Sequence, residues 1–138
     1  MTNVHAFPSS PALVLSETDA ERLSALALRA IDAQPVVAGL LLAEIERAEV
    51  RPDPQTPDKA VGMGATVQFL DEVSGRRRTV ELVYPQDADI AADRISVLTP
   101  IGAGLIGLSE GQTIAWPDRD GHTRLLRILE VRRATFRL

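Results

Sequence analysis

Three prolines within the nine residues Arg51–Lys59 divide the chain into two parts with different sequence patterns. From Ser16 to about Val50 the sequence is rich in Ala, Leu, Glu and Arg, which favour helices. After the prolines, Val, Thr and Ile alternate with polar residues and glycines, as is typical of β-strands. A proline-rich segment is stiff and does not continue a helix. The pattern therefore predicts an α+β protein with a helical N-terminal part, a linker and a mainly β domain.

The N-terminal part predicts a short antiparallel helical hairpin. Thr18 and Glu21 fit a capping box, in which the hydroxyl and the carboxylate bond free amide groups at a helix start. A first helix is expected over Asp19–Ala33, and Gln34-Pro35 ends it because the residue before a proline disfavours helical backbone. A second helix is expected from Val36 or Val37 to Val50. With about 15 residues each, the arms are expected to project ~22 Å.

The second part predicts a small antiparallel sheet with one short helix on a face. The expected strands are Ala65–Asp71, Arg78–Tyr84, Arg94–Leu98, Thr113–Trp116 and Thr123–Val131. A helix is expected after Thr99, because threonine is a suitable N-cap and Pro100 suits the first helical position. Glycines lower the helix propensity of this segment, so packing must hold it. We place the domain boundary between residues 1–60, hairpin and linker, and residues 61–138, the β domain.

Composition excludes several kinds of site. The chain has no cysteine, which excludes disulfides, thiolate metal sites and cysteine nucleophiles. Its two histidines, His5 and His122, lie far apart in the sequence. A net charge of −4 and 4% aromatic residues argue against nucleic-acid binding driven by charge or by base stacking. No stretch approaches the ~20 apolar residues of a membrane span, and we expect a cytoplasmic protein without membrane association.

No set of catalytic residues is evident. His122 follows a predicted turn, where an exposed structural role is expected. An acidic loop contains Asp87, Asp89 and Asp93. These carboxylates could form an acid/base pair, but a solvated connection between strands explains them as well, and calcium would require more oxygen ligands. The glycines after Pro100 do not form a nucleotide-binding fingerprint. We therefore expect no enzyme activity, no cofactor and no metal ion.

Two features are more typical of binding. Arginine provides fourteen of the fifteen basic residues, with Arg76–Arg78 after a predicted turn and others near the C-terminus: Arg124, Arg127, Arg132, Arg133 and Arg137. These side chains either solvate the sheet and pair with acids, or bind carboxylate or phosphate groups. The apolar segment Leu98–Leu108 is expected to be a core helix, a docking surface, or both on opposite sides.

The order of the elements and one motif resemble the Gre transcript-cleavage factors and, within that superfamily, the regulator of nucleoside diphosphate kinase (Rnk) family. The matching residues are Val67-Gln-Phe69, Val83-Tyr-Pro85, Ile95–Leu108 and Gly111–Trp116. The resemblance covers about Ser16–Val131 and is most specific from Ile95 to Trp116. It implies an FKBP-like second domain without prolyl isomerase activity, and the few aromatic residues agree with this.

The resemblance also implies RNA polymerase as the partner, docked near the entrance of its secondary channel. The matching docking residues are Leu98, Thr99, Pro100 and Ile101. Gre factors carry an acidic pair at the tip of a long hairpin, which helps to hold a catalytic magnesium ion. The tip here includes Asp32, Gln34 and Pro35, and Asp32 is its one acidic residue. One carboxylate is a weak magnesium site, because this ion prefers several oxygen ligands.

We therefore expect a non-catalytic regulator that competes with Gre-type factors at the secondary channel and changes the level of nucleoside diphosphate kinase indirectly. We also expect a monomer without sequence-specific nucleic-acid binding. Two alternatives stay open. In one, Asp32 suffices to stimulate transcript cleavage, with a polymerase residue completing the magnesium site. In the other, Arg76–Arg78 and the arginines of the last strand bind nucleic acid or a phosphate-bearing ligand.

Overall fold

The computed structural model describes residues 11–117 and 120–133, so His5 and Arg137 lie outside the described residues. Within this part, the α-helices are α1 Glu17–Ala30, α2 Pro35–Arg47 and α3 Pro100–Leu105. The strands are β1 Val14–Ser16, β2 Glu49–Arg51, β3 Thr66–Asp71, β4 Arg76–Val83, β5 Arg94–Ser96, β6 Thr113–Pro117 and β7 Thr123–Arg132. Short 3-10 helices occupy Asp53–Gln55, Pro85–Asp87 and Ile90–Ala92. Helices followed by a sheet confirm the predicted α+β class.

The main sheet has five strands in the order β5-β4-β3-β7-β6. Strand β3 pairs antiparallel with β4 and β7, and β6 pairs antiparallel with β7. Strand β5, however, pairs parallel with β4, with Arg94 opposite Glu81. The expectation of a fully antiparallel sheet was therefore wrong at this edge. The connection from β4 folds through two 3-10 turns and a left-handed Asp93 (φ 56°), which return the chain alongside β4 in the same direction.

Helix α1 begins two residues earlier than predicted. Its N-cap is Ser16, whose Oγ accepts a hydrogen bond from the Asp19 amide at 3.0 Å. The predicted capping box of Thr18 and Glu21 was therefore wrong, because Thr18 lies inside the helix and bonds elsewhere. Its amide donates to Asp53 Oδ1 at 3.1 Å. The proline-rich segment is thus attached to the start of α1.

Glu49 and Val50, which were expected to lie in the second helix, form strand β2 together with Arg51 instead. Helix α2 begins at Pro35 and ends at Arg47, and β2 then pairs parallel with β1, with Leu15 opposite Val50. A second contact joins α1 to the chain beyond the linker, because Asp19 Oδ2 accepts a hydrogen bond from the Met63 amide at 3.1 Å. The division of the chain at residue 60 stays a prediction.

One hydrophobic core includes the hairpin, the sheet and α3. Leu23 of α1 and Leu41 of α2 belong to the same buried cluster as Phe69 and Ile128 of the sheet. Helix α2 also contacts α3. With 14 and 13 residues, the two helices are about 20 Å long. Their length is close to the prediction, but they do not project from the sheet, because their apolar faces are buried against the rest of the molecule.

Candidate functional site

The segment Leu98–Ile101 forms the turn between β5 and α3, which we call the docking turn. Thr99 closes it with its hydroxyl, which donates to the Ser96 carbonyl at 2.7 Å and accepts from the Gly102 amide at 3.1 Å. Pro100 occupies the first helical position, where its missing amide hydrogen costs nothing. The predicted N-cap and helix start are confirmed.

Two glycines let α3 approach its neighbours closely. A Cβ on Gly102 would lie 2.1 Å from the Ser96 carbonyl oxygen, and one on Gly104 would lie 2.9 Å from the Trp116 ring. The Trp116 indole also donates a hydrogen bond to the Pro100 carbonyl. These glycines lower the helix propensity of α3 but allow close packing. The close packing holds the docking turn against β6.

Trp116 is the residue of this site that the sequence reasoning missed. From the sequence, Trp116 contributes only to the resemblance and to the small number of aromatic residues. A lone tryptophan on a strand, together with a glycine-rich helix, was a usable signal, because an indole needs a hydrogen-bond acceptor and glycine leaves room for a ring.

The four residues of the docking turn differ in how far their side chains are exposed to solvent. Leu98 is 8% exposed, whereas Thr99, Pro100 and Ile101 are half-buried. The Leu98 side chain therefore supports the turn from the inside. Pro100 and Ile101 form the part of its surface that a partner can reach.

The predicted hairpin tip lies beside the docking turn. Asp32, Gln34 and Pro35 are exposed, and the backbone amide of Gln34 donates to the Ala30 carbonyl at 2.8 Å. A groove of about 510 Å³ is lined by Gln34 and Pro35 on the hairpin and by Pro100 on the docking turn. The structure therefore brings the two predicted sites to one groove, although Asp32 is not among its lining residues.

The acidic groups of the described residues are dispersed. Nowhere in residues 11–117 and 120–133 do three or more His, Asp or Glu side chains come together as possible metal ligands. In the acidic loop, Asp89 Oδ1 accepts a hydrogen bond from the Ala91 amide at 3.1 Å, while Asp87 and Asp93 are exposed. His122 is exposed as well. The arrangement is typical of a structural loop.

Most arginines of the last strand pair with acids. Arg124 lies 3.4 Å from Asp71, Arg127 lies 2.5 Å from Glu72, and Arg132 lies 3.7 Å from Glu130. Arg133 donates to the Pro57 carbonyl at 3.1 Å. This agrees with the interpretation that these arginines solvate the sheet.

Across the described ranges, no helix is long and apolar enough to cross a membrane.

Comparisons with known proteins agree with this architecture. Residues 11–50 match the family model of the Rnk N-terminus, and residues 56–133 match that of the transcription elongation factor GreA/GreB C-terminal domain. A regulator of nucleoside diphosphate kinase from Escherichia coli (strain K12) is 32% identical over 123 residues, which cover 89% of this chain and 90% of that protein. A transcription elongation factor GreA from Acidiphilium cryptum (strain JF-5) is 42% identical over 89 residues, 64% of this chain and 55% of that protein.

A solved structure has the same fold. It is described as a prokaryotic transcription elongation factor GreA/GreB from Nitrosomonas europaea, and it superposes with a TM-score of 0.69 at 38% identity. The match covers 88% of this chain and 99% of the other. The chain, with a helical hairpin packed against α3 and a five-stranded sheet, thus has the architecture of GreA/GreB-like proteins. Within that superfamily the chain belongs to the Rnk family. The resemblance predicted from the sequence is confirmed, and family and fold fit a transcription-related regulator.

Proposed function

We propose that this protein is a non-catalytic, cytoplasmic regulator that binds RNA polymerase at the entrance of the secondary channel and competes there with Gre-type factors. The observation that supports this is the docking turn itself. It is closed by Thr99, anchored by Trp116 and exposes Pro100 and Ile101. A preformed turn loses little conformational entropy on binding, so its apolar contacts contribute fully to affinity.

The size of the molecule suits such an interface. A specific complex buries about 800 Å² on each partner, which a chain of 138 residues can supply from one side. Apolar anchors near the centre of an interface provide most of its binding energy, while the charges around them set orientation and association rate. Pro100 and Ile101 are the anchors in this proposal.

The hairpin tip is expected to perform no chemistry. Pro35 and Pro100 line the same groove, so a protein docked through Pro100 keeps its hairpin tip near the docking site. Asp32 is the one acidic residue of the tip, and a divalent ion requires several oxygen ligands. Transcript cleavage is therefore not part of the proposal. An effect on nucleoside diphosphate kinase follows indirectly, through expression.

The docking proposal is tested by co-elution with purified core RNA polymerase at micromolar concentration and low salt. Ile101→Asp should weaken binding at least ~10-fold, because it places a charge at an apolar anchor. Aspartate in the first turn of α3 is compatible with the helix dipole, but Ile101 also packs against the core, so thermal melting must show that the variant is folded. Leu28→Asp, which alters an exposed leucine on α1, is the matched control and should bind like the parent. Failure of the parent to bind would refute the proposed function.

The absence of cleavage is tested with stalled, backtracked transcription complexes. The parent protein should leave the rate of transcript cleavage at its basal level, and Asp32→Ala should behave in the same way. Accelerated cleavage by the parent that is lost in Asp32→Ala would establish the alternative function instead.

A further inference from the structure

The three consecutive arginines of β4 do not share one face of the sheet. In the pairing of β3 with β4, Arg78 lies opposite Phe69 and Arg76 lies opposite Asp71, whereas Arg77 lies opposite Leu70. Successive side chains on a strand point to opposite faces. Arg76 and Arg78 therefore lie on the same face as the buried Val80, which belongs to the core, and Arg77 lies on the other face.

Arg76 and Arg78 border a pocket of about 400 Å³, which we call the arginine pocket. Its apolar lining comes from Phe69, Leu126 and Ile101. Ile101 is also an anchor of the docking turn, so the pocket and the docking turn form one continuous surface. A partner that covers Ile101 therefore also meets the two arginines.

Among the described residues that line the pocket, positive charge exceeds negative charge, with Arg76, Arg78 and Arg124 against Asp71. Its acid, Asp71, is occupied on both oxygens, because Oδ1 accepts from the Val73 and Ser74 amides at 2.9 and 3.2 Å and Oδ2 lies 3.4 Å from Arg124. Arg76 and Arg78 are exposed, and neither has an ion-pair partner among residues 11–117 and 120–133. Guanidinium groups bind carboxylates through two parallel hydrogen bonds.

We infer that the arginine pocket binds an acidic segment of the polymerase, with a carboxylate on Arg76 and Arg78 and a neighbouring apolar side chain against Ile101. This inference rests on the proposed function, which supplies the partner. The shape of the pocket favours a polypeptide over a nucleic acid. The aromatic ring of the pocket, Phe69, is only 2% exposed and offers no face for base stacking.

Because successive side chains of β4 lie on opposite faces, Arg77 provides the matched control. The double variant Arg76→Ala/Arg78→Ala should bind core RNA polymerase about tenfold more weakly at low ionic strength, since each exposed ion pair contributes modestly. Arg77→Ala removes a charge from the same strand but from the other face, and should stay within about twofold of the parent. At ~0.15 M salt the difference between the double variant and the parent should shrink, because exposed charges are screened. Thermal melting of all three variants checks that the fold is retained.

The outcomes separate this inference from the proposed function. If the double variant binds as well as the parent while Ile101→Asp does not bind, the inference is wrong and polymerase docking stands. Loss of affinity for a single-stranded oligonucleotide, with polymerase binding unchanged, would also overturn it in favour of a nucleic-acid site. If the parent itself does not bind polymerase, both fail.

Discussion

At the scale of single residues, the docking turn depends on a position without a side chain, Gly102, as much as on its side chains. Gly102 lies so close to the Ser96 carbonyl that no Cβ can be accommodated without moving the backbone. Gly39, in the interior of α2, has open space around it. The two glycines therefore serve different purposes, although both are poor helix formers.

Alanine substitutions distinguish these two glycines. Gly102→Ala should lower the free energy of unfolding by at least ~2 kcal/mol, because the clash is with backbone in a packed region. Gly39→Ala should raise it by about 0.5–1 kcal/mol, the usual gain from replacing glycine in a helix. Urea denaturation measures both. Equal effects of the two substitutions would show that the close approach of α3 to β5 is not as described.

The hydroxyl of Thr99 is the second determinant at this scale. Thr99→Val keeps the shape but removes both hydrogen bonds of the Thr99 hydroxyl, and should cost about 1–2 kcal/mol of stability. Thr99→Ser keeps the hydroxyl and should stay close to the parent. If valine and serine were tolerated equally well in denaturant unfolding, the cap would not be what holds the turn.

At the scale of elements, α1 is attached to the linker through the carboxylate of Asp53. Hydrogen bonds from the Thr18 hydroxyl and amide hold the pKa of Asp53 below its ordinary value of 3.8. The pKa of Glu110 is lowered in the same way. The Val131 amide and then Lys59 keep its pKa below the ordinary value of 4.5. In both cases the charged carboxylate joins segments that are distant in the sequence.

These depressed pKa values predict a loss of stability in acid. A carboxyl group whose pKa is lower in the folded state stabilises the fold above its unfolded pKa, and that contribution is lost as pH falls through the folded pKa. The free energy of unfolding should therefore be constant near neutrality and fall below about pH 4. Asp53→Asn should be less stable than the parent at pH 7 and should lose less stability in acid.

Asp58→Asn is the control for this experiment, because Asp58 is an exposed aspartate of the same proline-rich segment. Its pH profile, measured by urea denaturation at several pH values, should follow that of the parent. An Asp53→Asn profile identical to that of the parent would show that Asp53 does not hold the linker to α1.

The elements that could be predicted are those with a long periodic pattern or a distinctive start. The alternation in β3 and β7 and the Thr99-Pro100 start of α3 identified those elements from the sequence alone. Strand β2 could not be predicted, because three residues are too few to show alternation, and its partner β1 lies before both helices. The sequence predicts the start of β4 two residues late, at Arg78, since Arg76 and Arg77 interrupt the apolar alternation although both pair with β3.

Part of the candidate site could also be predicted from the sequence, because a local sequence pattern identifies it. The docking turn is local, so its residues follow from the cap and the proline. The contact of Trp116 with Pro100 and the shared groove of Pro35 and Pro100 depend on how distant segments pack. No periodicity within one segment encodes such an arrangement.

At the scale of the whole molecule, hairpin, sheet and α3 share one core, so the docking turn, the hairpin tip and the arginine pocket are held in fixed positions. A partner that binds Ile101 meets the arginine pocket on one side, while Pro100 leads to the groove of the hairpin tip on the other. In the proposed complex, the molecule would cover a surface of the polymerase with little internal rearrangement. Its effect on the polymerase is therefore expected to be occlusion of a site that another factor would use.

Occlusion is tested most directly by titrating the protein into backtracked RNA polymerase complexes in the presence of a Gre-type cleavage factor. The rate of transcript cleavage should fall toward the basal rate as the protein is added, and Ile101→Asp should require at least ~10-fold more protein for the same effect. A cleavage rate that stays unchanged at saturating protein, or that increases, would contradict the proposed mode of action.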